Sequence, residues 1–237
     1  MTDPPCGRAG CPVPDPAAGL LRTLRSVVWP AGTRLRRGHP VAHPDPTGLV
    51  PGVGSSRFAP IDGAAHTYLA RTTVAALLES AFHDAAPPAP RIALASLGRW
   101  MESEVVLTDD IRLIDLRDPE LARLGINRDS LVSTTPAHYP CTRRWAAALH
   151  GRAVGGQSTC GEVWASRQIE ARTAAIAGRP AVRQLMEVAP ADVAVIWAPP
   201  ASTGILTGGQ DGLGRLDHGD GLDFVFDLAA ALGIVVQ

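Results

Sequence analysis

Lysine is absent from the 237-residue sequence, so all 22 basic side chains are arginines. That absence excludes every chemistry that needs a lysine amine: Schiff-base formation, serine–lysine nucleophiles and the phosphate-binding lysine of a P-loop. Aromatic residues make up only 5% of the chain, with two tyrosines, Tyr68 and Tyr139. No run approaches 18 consecutive apolar residues, so a membrane-spanning helix is not expected. The segment before Pro16 is proline-rich and acidic, where a signal peptide needs a basic and then an apolar stretch. A cytoplasmic location follows as the expectation. There is no basic arm either. With 22 basic against 23 acidic residues the net charge is −1, which argues against direct nucleic-acid binding and against a membrane-surface protein.

Cysteine is also sparse. Cys6 and Cys11 form one close pair, but Cys141 and Cys160 do not supply the second close pair of a four-thiolate zinc site. His39 and His43 are the histidines considered as completing a site with the first pair. The reading adopted is reduced, incidental thiols and no metal. Gly52-Val53-Gly54 lacks the third glycine and the directly following helix of a dinucleotide-binding turn, so a Rossmann reading fails on context.

What the chain does have is 46% hydrophobic and 19% charged residues, a composition that suits a soluble globular protein. A chain of this mass buries roughly 70% of its unfolded surface, enough for one sizeable core. The missing lysines read as the coding bias of a G+C-rich genome. Their replacement still matters chemically, because a guanidinium presents a planar fork of donors suited to phosphate or carboxylate.

Residues 1–15 read as a flexible proline-rich leader and residues 16–237 as a single domain. Leu20, Leu21, Leu24, Val27 and Val28 recur at helical spacing, predicting a short helix that ends near Pro30. Residues 32–37 read as a strand, followed by a long proline- and glycine-rich loop to Ser56. A strand over 66–70 leads into a helix capped by Thr72 or Thr73 and running to about His83, with Val74, Leu77, Leu78 and Ala81 as its apolar stripe. Residues 91–116 promise two or three strands. Helices are expected over 118–124, 142–150 and 220–232, and a strand over 163–166. Strands and helices do not alternate regularly, so the fold class is α+β. On its helix Glu79 falls about 140° from the centre of the apolar stripe, which by periodicity alone makes it a surface residue. Tyr68 reads as a core aromatic, Arg57 as half of a surface ion pair, and Ser166 as an ordinary strand end.

A resemblance changes those readings. Ser56-Arg57-Phe58-Ala59-Pro60, then Thr67-Tyr68-Leu69-Ala70, then Ala75-Ala76-Leu77-Leu78-Glu79 resemble the opening signature of the RES-domain family, which is named for an arginine, a glutamate and a serine. Residues 32–37 look like its first strand. Arg112 to Leu116, Tyr139 with Thr142 and Trp145-Ala146, Trp164 to Arg167, and the end from Phe226 to Ile234 follow in the family's order. The resemblance spans roughly residues 30–237. Where many members carry an aromatic beside the first-strand arginine, this chain has Arg36 before Arg37 and Gly38 after it.

The resemblance implies an ADP-ribosyltransferase-like split β-sheet core flanked by helices, with NAD as substrate and no metal. It implies a toxin that cleaves the nicotinamide–ribose bond by hydrolysis or phosphorolysis, partnered by a DNA-binding antitoxin. Transfer of ADP-ribose to a protein or small acceptor and a catalytically silent binding protein are the alternatives. Carried over residue by residue, Glu79 would be the catalytic acid residue. Arg37 and Arg57 would bind the phosphates or ribose of NAD, and Tyr68 would pack on the nicotinamide side. Ser166 would hold the nicotinamide ribose or amide, with Ser158 as a competing candidate.

Overall fold

A run of β-branched residues produces the first departure from the expected elements. The computed structural model, which describes residues 6–51, 56–85, 90–169, 191–197 and 204–237, has a single helical turn near the N-terminus, α1 (Ala18–Leu21). The chain then extends as β1 (Ser26–Trp29), since Ser-Val-Val-Trp suits a pleated surface better than a helix. Leu21 and Leu24 still enter the core, but Val27 and Val28 belong to a strand and not to the helix expected to end near Pro30.

The remaining elements follow in order: β2 (Arg34–Pro40), β3 (Val50–Pro51), β4 (Ala65–Ala70), α2 (Thr73–Leu78), β5 (Arg91–Ile92), α3 (Leu94–Leu97), β6 (Trp100–Leu107) and β7 (Ile111–Asp115). After them come α4 (Asp118–Arg123), α5 (Arg128–Leu131), a 3-10 turn (Pro136–His138), α6 (Tyr139–Leu149), β8 (Ala153–Val154), β9 (Gln157–Ser158) and β10 (Gly161–Ala165). The last group is β11 (Asp192–Trp197), β12 (Leu206–Gly208), β13 (Gly214–Arg215), α7 (Gly219–Leu232) and β14 (Val235–Val236).

The fold is α+β, a curled mixed sheet flanked by helices. Ten strands join in the order β1-β7-β10-β11-β4-β2-β6-β12, with β3 also on β4 and β13 also on β6. Within it β7 and β10 run parallel, and the other described pairings are antiparallel. The alternation of a strand sorts side chains to two faces. Val193, Val195 and Trp197 join the large cluster beneath α2, α6 and α7, whereas Ala194 and Ile196 join a smaller cluster on the reverse face.

The sheet nearly divides in the middle. β2 makes seven residue pairings with β6, but it meets β4 through one, Arg36 opposite Ala70. Helix α2 packs where the two halves splay. Its approach to β2 is so close that a Cβ on Gly38 would lie 2.9 Å from Ser80 Cβ and 3.0 Å from the Ala76 carbonyl oxygen. Glycine at 38 is thus demanded by the helical segment lying on it.

The leader is also more engaged than its composition suggests. Trp145 Nε1 donates to the Pro14 carbonyl at 2.6 Å, Arg144 pairs with Asp15 at 2.9 Å, and Val13 packs on the main core. Prolines pre-set an extended backbone, so little further entropy is lost when such a segment is laid along α6.

Replacing Gly38 with alanine is expected to destabilise the protein by about 1–3 kcal/mol, because the added methyl meets backbone as well as the Ser80 side chain. A double variant that also carries Ser80→Ala should recover only part of that loss, since the Ala76 carbonyl stays in the way. Urea midpoints measure both, and an unchanged midpoint for Gly38→Ala would refute the packing.

Candidate active site

The position of Glu79 follows from where α2 stops. Thr72 caps the helix with an extended backbone, and its Oγ1 accepts the Ala75 N–H at 3.0 Å. Five residues, Val74 to Leu78, are buried, so the helix is fixed by packing on more than one side. It then ends after six residues instead of reaching His83. Phe82 N–H turns back to the Leu77 carbonyl at 2.9 Å, and Glu79 becomes the C-cap. At a helix end, a carboxylate turned away from the apolar stripe faces a cleft and remains half-buried.

The partner of that carboxylate comes from the far side of the sheet's first half. Ser166 directly follows β10, and its N–H bonds to the Ala191 carbonyl at 2.8 Å. Its Oγ donates to Glu79 Oε1 at 2.6 Å and accepts the Ile169 N–H at 3.4 Å. The residue is fully buried. Its hydroxyl is therefore engaged with Glu79, a charge-assisted bond that fixes one carboxylate oxygen and leaves Oε2 for other partners.

Arg57 and Tyr68 are linked through one loop. Ser56 Oγ donates to the Ala59 carbonyl at 2.7 Å, Phe58 N–H donates to the Tyr68 oxygen at 3.3 Å, and the Tyr68 hydroxyl meets Ser56 Oγ at 2.9 Å. With the Ser56 proton committed to Ala59, the tyrosine proton points to Ser56. The phenol thus holds the loop, and its ring lines the cavity. Burial raises the Tyr68 phenol above its ordinary range, keeping it a neutral donor. Arg57, carried on the same loop, donates through Nη1 to the Thr134 carbonyl at 2.9 Å and to Thr134 Oγ1 at 2.7 Å. Its guanidinium lies 5.1 Å from the centre of the Tyr139 ring. Burial lowers its affinity for a proton, while Tyr139 and Glu79 act in the opposite direction.

These residues enclose a cavity of about 280 Å³ lined by Ser56, Arg57, Tyr68, Glu79, Ser80, His83, Asp84, Trp100, Tyr139 and Trp164. Its lining combines polar groups with the aromatic rings of Tyr68, Trp100, Tyr139 and Trp164. Tyr68 meets Trp164 edge-on at 6.1 Å, and Phe58 meets Trp164 at 5.1 Å. Ser80, His83, Asp84 and Trp100 were not anticipated as site residues. His83 stands four residues after Glu79, a spacing that would have placed it on the same face of the expected longer helix.

Arg37 is not brought to this cavity. It alternates with Arg36 and Gly38 along β2, and Gly38 faces α2, so Arg37 projects from the opposite face. There it is buried, and its Nη1 donates to the carbonyls of Pro46 at 2.6 Å and Gly48 at 2.8 Å. Ser158 lies exposed in the β8–β9 hairpin, also away from the cavity. His39 bonds to the His43 carbonyl at 2.8 Å and to Ser103 Oγ at 3.0 Å, and it does not belong to the cysteine cluster. No helix among the described residues is long and apolar enough to cross a membrane.

A family model described as the RES domain matches residues 29–198. No curated protein matches. Among solved structures, a chain of the M. tuberculosis MbcT-MbcA toxin–antitoxin complex is similar, with a TM-score of 0.52 over 84% of this chain and 92% of that chain. At 14% sequence identity, that likeness is one of fold.

Tyr68→Phe should cost about 1–3 kcal/mol of stability, because it leaves the Phe58 N–H and the Ser56 hydroxyl short of a partner. Hydrogen exchange at the Phe58 amide is expected to accelerate more than exchange in α6 or α7. Equal acceleration everywhere would show that the phenol does not hold this loop.

Proposed function

The chain belongs to the RES-domain family, and on that membership and the cavity we propose that it is an NAD-consuming toxin that breaks the nicotinamide–ribose glycosidic bond. The observation that carries the reading is the Ser166-held Glu79 carboxylate in the wall of the same cavity as Arg57 and Tyr68. Residues 16–237 form the single catalytic domain in this reading, and the protein acts in the cytoplasm.

The chemistry follows from charge. NAD carries a cationic nicotinamide ring, which the faces of aromatic rings such as Tyr68, Tyr139, Trp100 and Trp164 would attract and shield from water. As the glycosidic bond lengthens, positive charge moves onto the ribose in an oxocarbenium-like transition state. In this reading Glu79, which lines the cavity, is the carboxylate that stabilises that charge. With Oε1 held by Ser166, Oε2 is left to accept a hydrogen bond from a ribose hydroxyl. The bond that breaks is ribose C1′ to the nicotinamide nitrogen, and its electron pair leaves with a now neutral nicotinamide. The bond that forms joins C1′ to an oxygen of water or of inorganic phosphate.

Arg57 is the cation placed to meet the pyrophosphate or the ribose, so that binding energy remote from C1′ orients the reacting centre. Ser166 acts in this scheme through Glu79, as a positioning residue. Arg37 acts on the loop at 45–48 and not on NAD. Loss of cellular NAD would make the activity toxic, and an antitoxin partner would restrain it. The similar fold found in a toxin–antitoxin complex supports that partnership.

Purified protein incubated with NAD should release nicotinamide, and comparison with and without phosphate distinguishes phosphorolysis from hydrolysis. Glu79→Gln is expected to lower kcat by about 100- to 1,000-fold while the protein stays folded. Ser166→Ala should produce a smaller loss, expressed in kcat more than in KM. If labelled NAD instead leaves its adenylate label on macromolecules, ADP-ribose transfer is the reaction. If no nicotinamide appears at high enzyme concentration and Glu79→Gln equals wild type in cells, the protein is not an enzyme of this class.

A further inference from the structure

The four groups that meet at the start of α6 have no part in the cavity chemistry. Cys6 and Cys11 approach from the leader, His138 closes the 3-10 turn, and Cys141 lies three residues later in the first turn of α6. We propose that Cys6, Cys11, Cys141 and His138 form a structural zinc site that clamps the leader onto α6.

The geometry supplies the argument. Zinc with sulfur ligands at about 2.3 Å and a nitrogen ligand at about 2.0–2.1 Å, set at tetrahedral angles, separates two sulfurs by about 3.8 Å and a sulfur from the nitrogen by about 3.6 Å. The Cys11 and Cys141 sulfurs are 3.7 Å apart. His138 Nδ1 lies 3.5 Å from Cys6 Sγ and 3.4 Å from Cys11 Sγ. All three sulfurs fall within 4.8 Å of one another, whereas His138 Nδ1 is near Cys6 and Cys11 but lies farther than that from Cys141 Sγ, so its ring must shift to complete the tetrahedron. None of the cysteines is in a disulfide.

The Cys6 N–H donates to Cys141 Sγ at 3.3 Å, which ties the leader to α6 at this point. The loop between the first two cysteines turns at Gly7 and Gly10, both at positive φ, which lets Cys6 and Cys11 point to one centre. His138 and Cys141 share one helical face. The donor set is three sulfurs and one imidazole, which selects zinc over calcium or magnesium, and four protein ligands leave no open position for catalysis. Binding converts three thiols to thiolates and releases their protons to solvent.

The sequence spacing concealed this set because its two halves, Cys6 with Cys11 and His138 with Cys141, stand some 130 residues apart. The site also has a structural consequence for the cavity. His138 directly precedes Tyr139, whose ring lies against Arg57, so metal binding steadies the wall on which that guanidinium rests.

The test is metal analysis of the full chain, purified under reducing conditions without an N-terminal tag from zinc-supplemented cells. Roughly one zinc per chain is expected in wild type. Cys160→Ser should retain it, because Cys160 lies elsewhere, against the Arg112 carbonyl at 3.6 Å. Cys6→Ser and Cys11→Ser should lose it while keeping a wild-type circular dichroism spectrum. They carry the test because they alter the leader, whereas a change at the buried Cys141 can disturb α6 itself. Cobalt added to the metal-stripped protein should give the intense visible bands of tetrahedral thiolate coordination, weakened in His138→Ala. A reduced wild-type protein that holds no zinc and yields no cobalt bands would overturn the proposal. So would full zinc content in the Cys6→Ser and Cys11→Ser variants, or a disulfide among these cysteines surviving reduction.

Discussion

The close approach of α2 to β2 at Gly38 is the constraint from which the rest of the site follows. A helix that lies this near a strand must present small groups, and Ala76 on α2 and Ser80 just beyond its end are what Gly38 meets. The helix ends at Leu78, where the chain turns back through the Phe82 N–H to the Leu77 carbonyl. Glu79 is thereby delivered to the edge of the cleft by packing, not by its own chemistry. Because β4 meets β2 through a single pairing, there is room for the helix in the first place, and β4 can carry Tyr68 to one wall while α2 carries Glu79 to another.

Around that wedge, the polar groups divide into those that hold and those that are held. Ser166 and Ser56 are buried or half-buried hydroxyls whose protons are already given to Glu79 and to the Ala59 carbonyl. Tyr68 spends its hydroxyl on the loop and offers its ring. Such a site is prepared before any ligand arrives, since its donors and acceptors need little reorganisation at the moment of reaction. The cost is local rigidity. These hydrogen bonds are partly or wholly buried, so loss of one partner leaves another group short of a bond.

The sequence was informative wherever a local pattern and a tertiary outcome agreed. The β4–α2 unit, the strands at 100–107 and 111–115, and the closing helix with its left-handed Gly233 all lie close to where periodicity and turn residues put them. It misled where packing overrode pattern. Val27 and Val28 fit a helical stripe, yet their β-branched chains pair with β7. Glu79 looked like a surface residue because its offset from the stripe was measured on a helix longer than the one that forms. Arg57, Glu79 and Ser166 were legible only through resemblance, because nothing in periodicity distinguishes a cleft from bulk solvent. Arg37 was assigned to the site by the same resemblance, but a one-residue step along a strand reverses the face, and Gly38 is the residue that fixes which face is which.

The lysine-free composition acquires a structural meaning once the hydrogen bonds are followed. The chain is rich in irregular connections, and buried carbonyls in such connections need donors that secondary structure does not supply. Arginines provide them repeatedly in partly buried places: Arg37 to Pro46 and Gly48, Arg57 to Thr134, Arg128 to Ala165, and Arg167 to Ser133. A guanidinium has five N–H groups in a rigid fork, so it can bind a carbonyl through one nitrogen and keep donors and full charge for a second partner. Arg57 does this at the cavity, bonded to Thr134 through Nη1 while its planar face rests on Tyr139. An ammonium there would offer three donors without the planar fork or the face that rests on Tyr139. The same residue type that the composition uses everywhere as a loop clasp is, at position 57, a clasp with charge to spare.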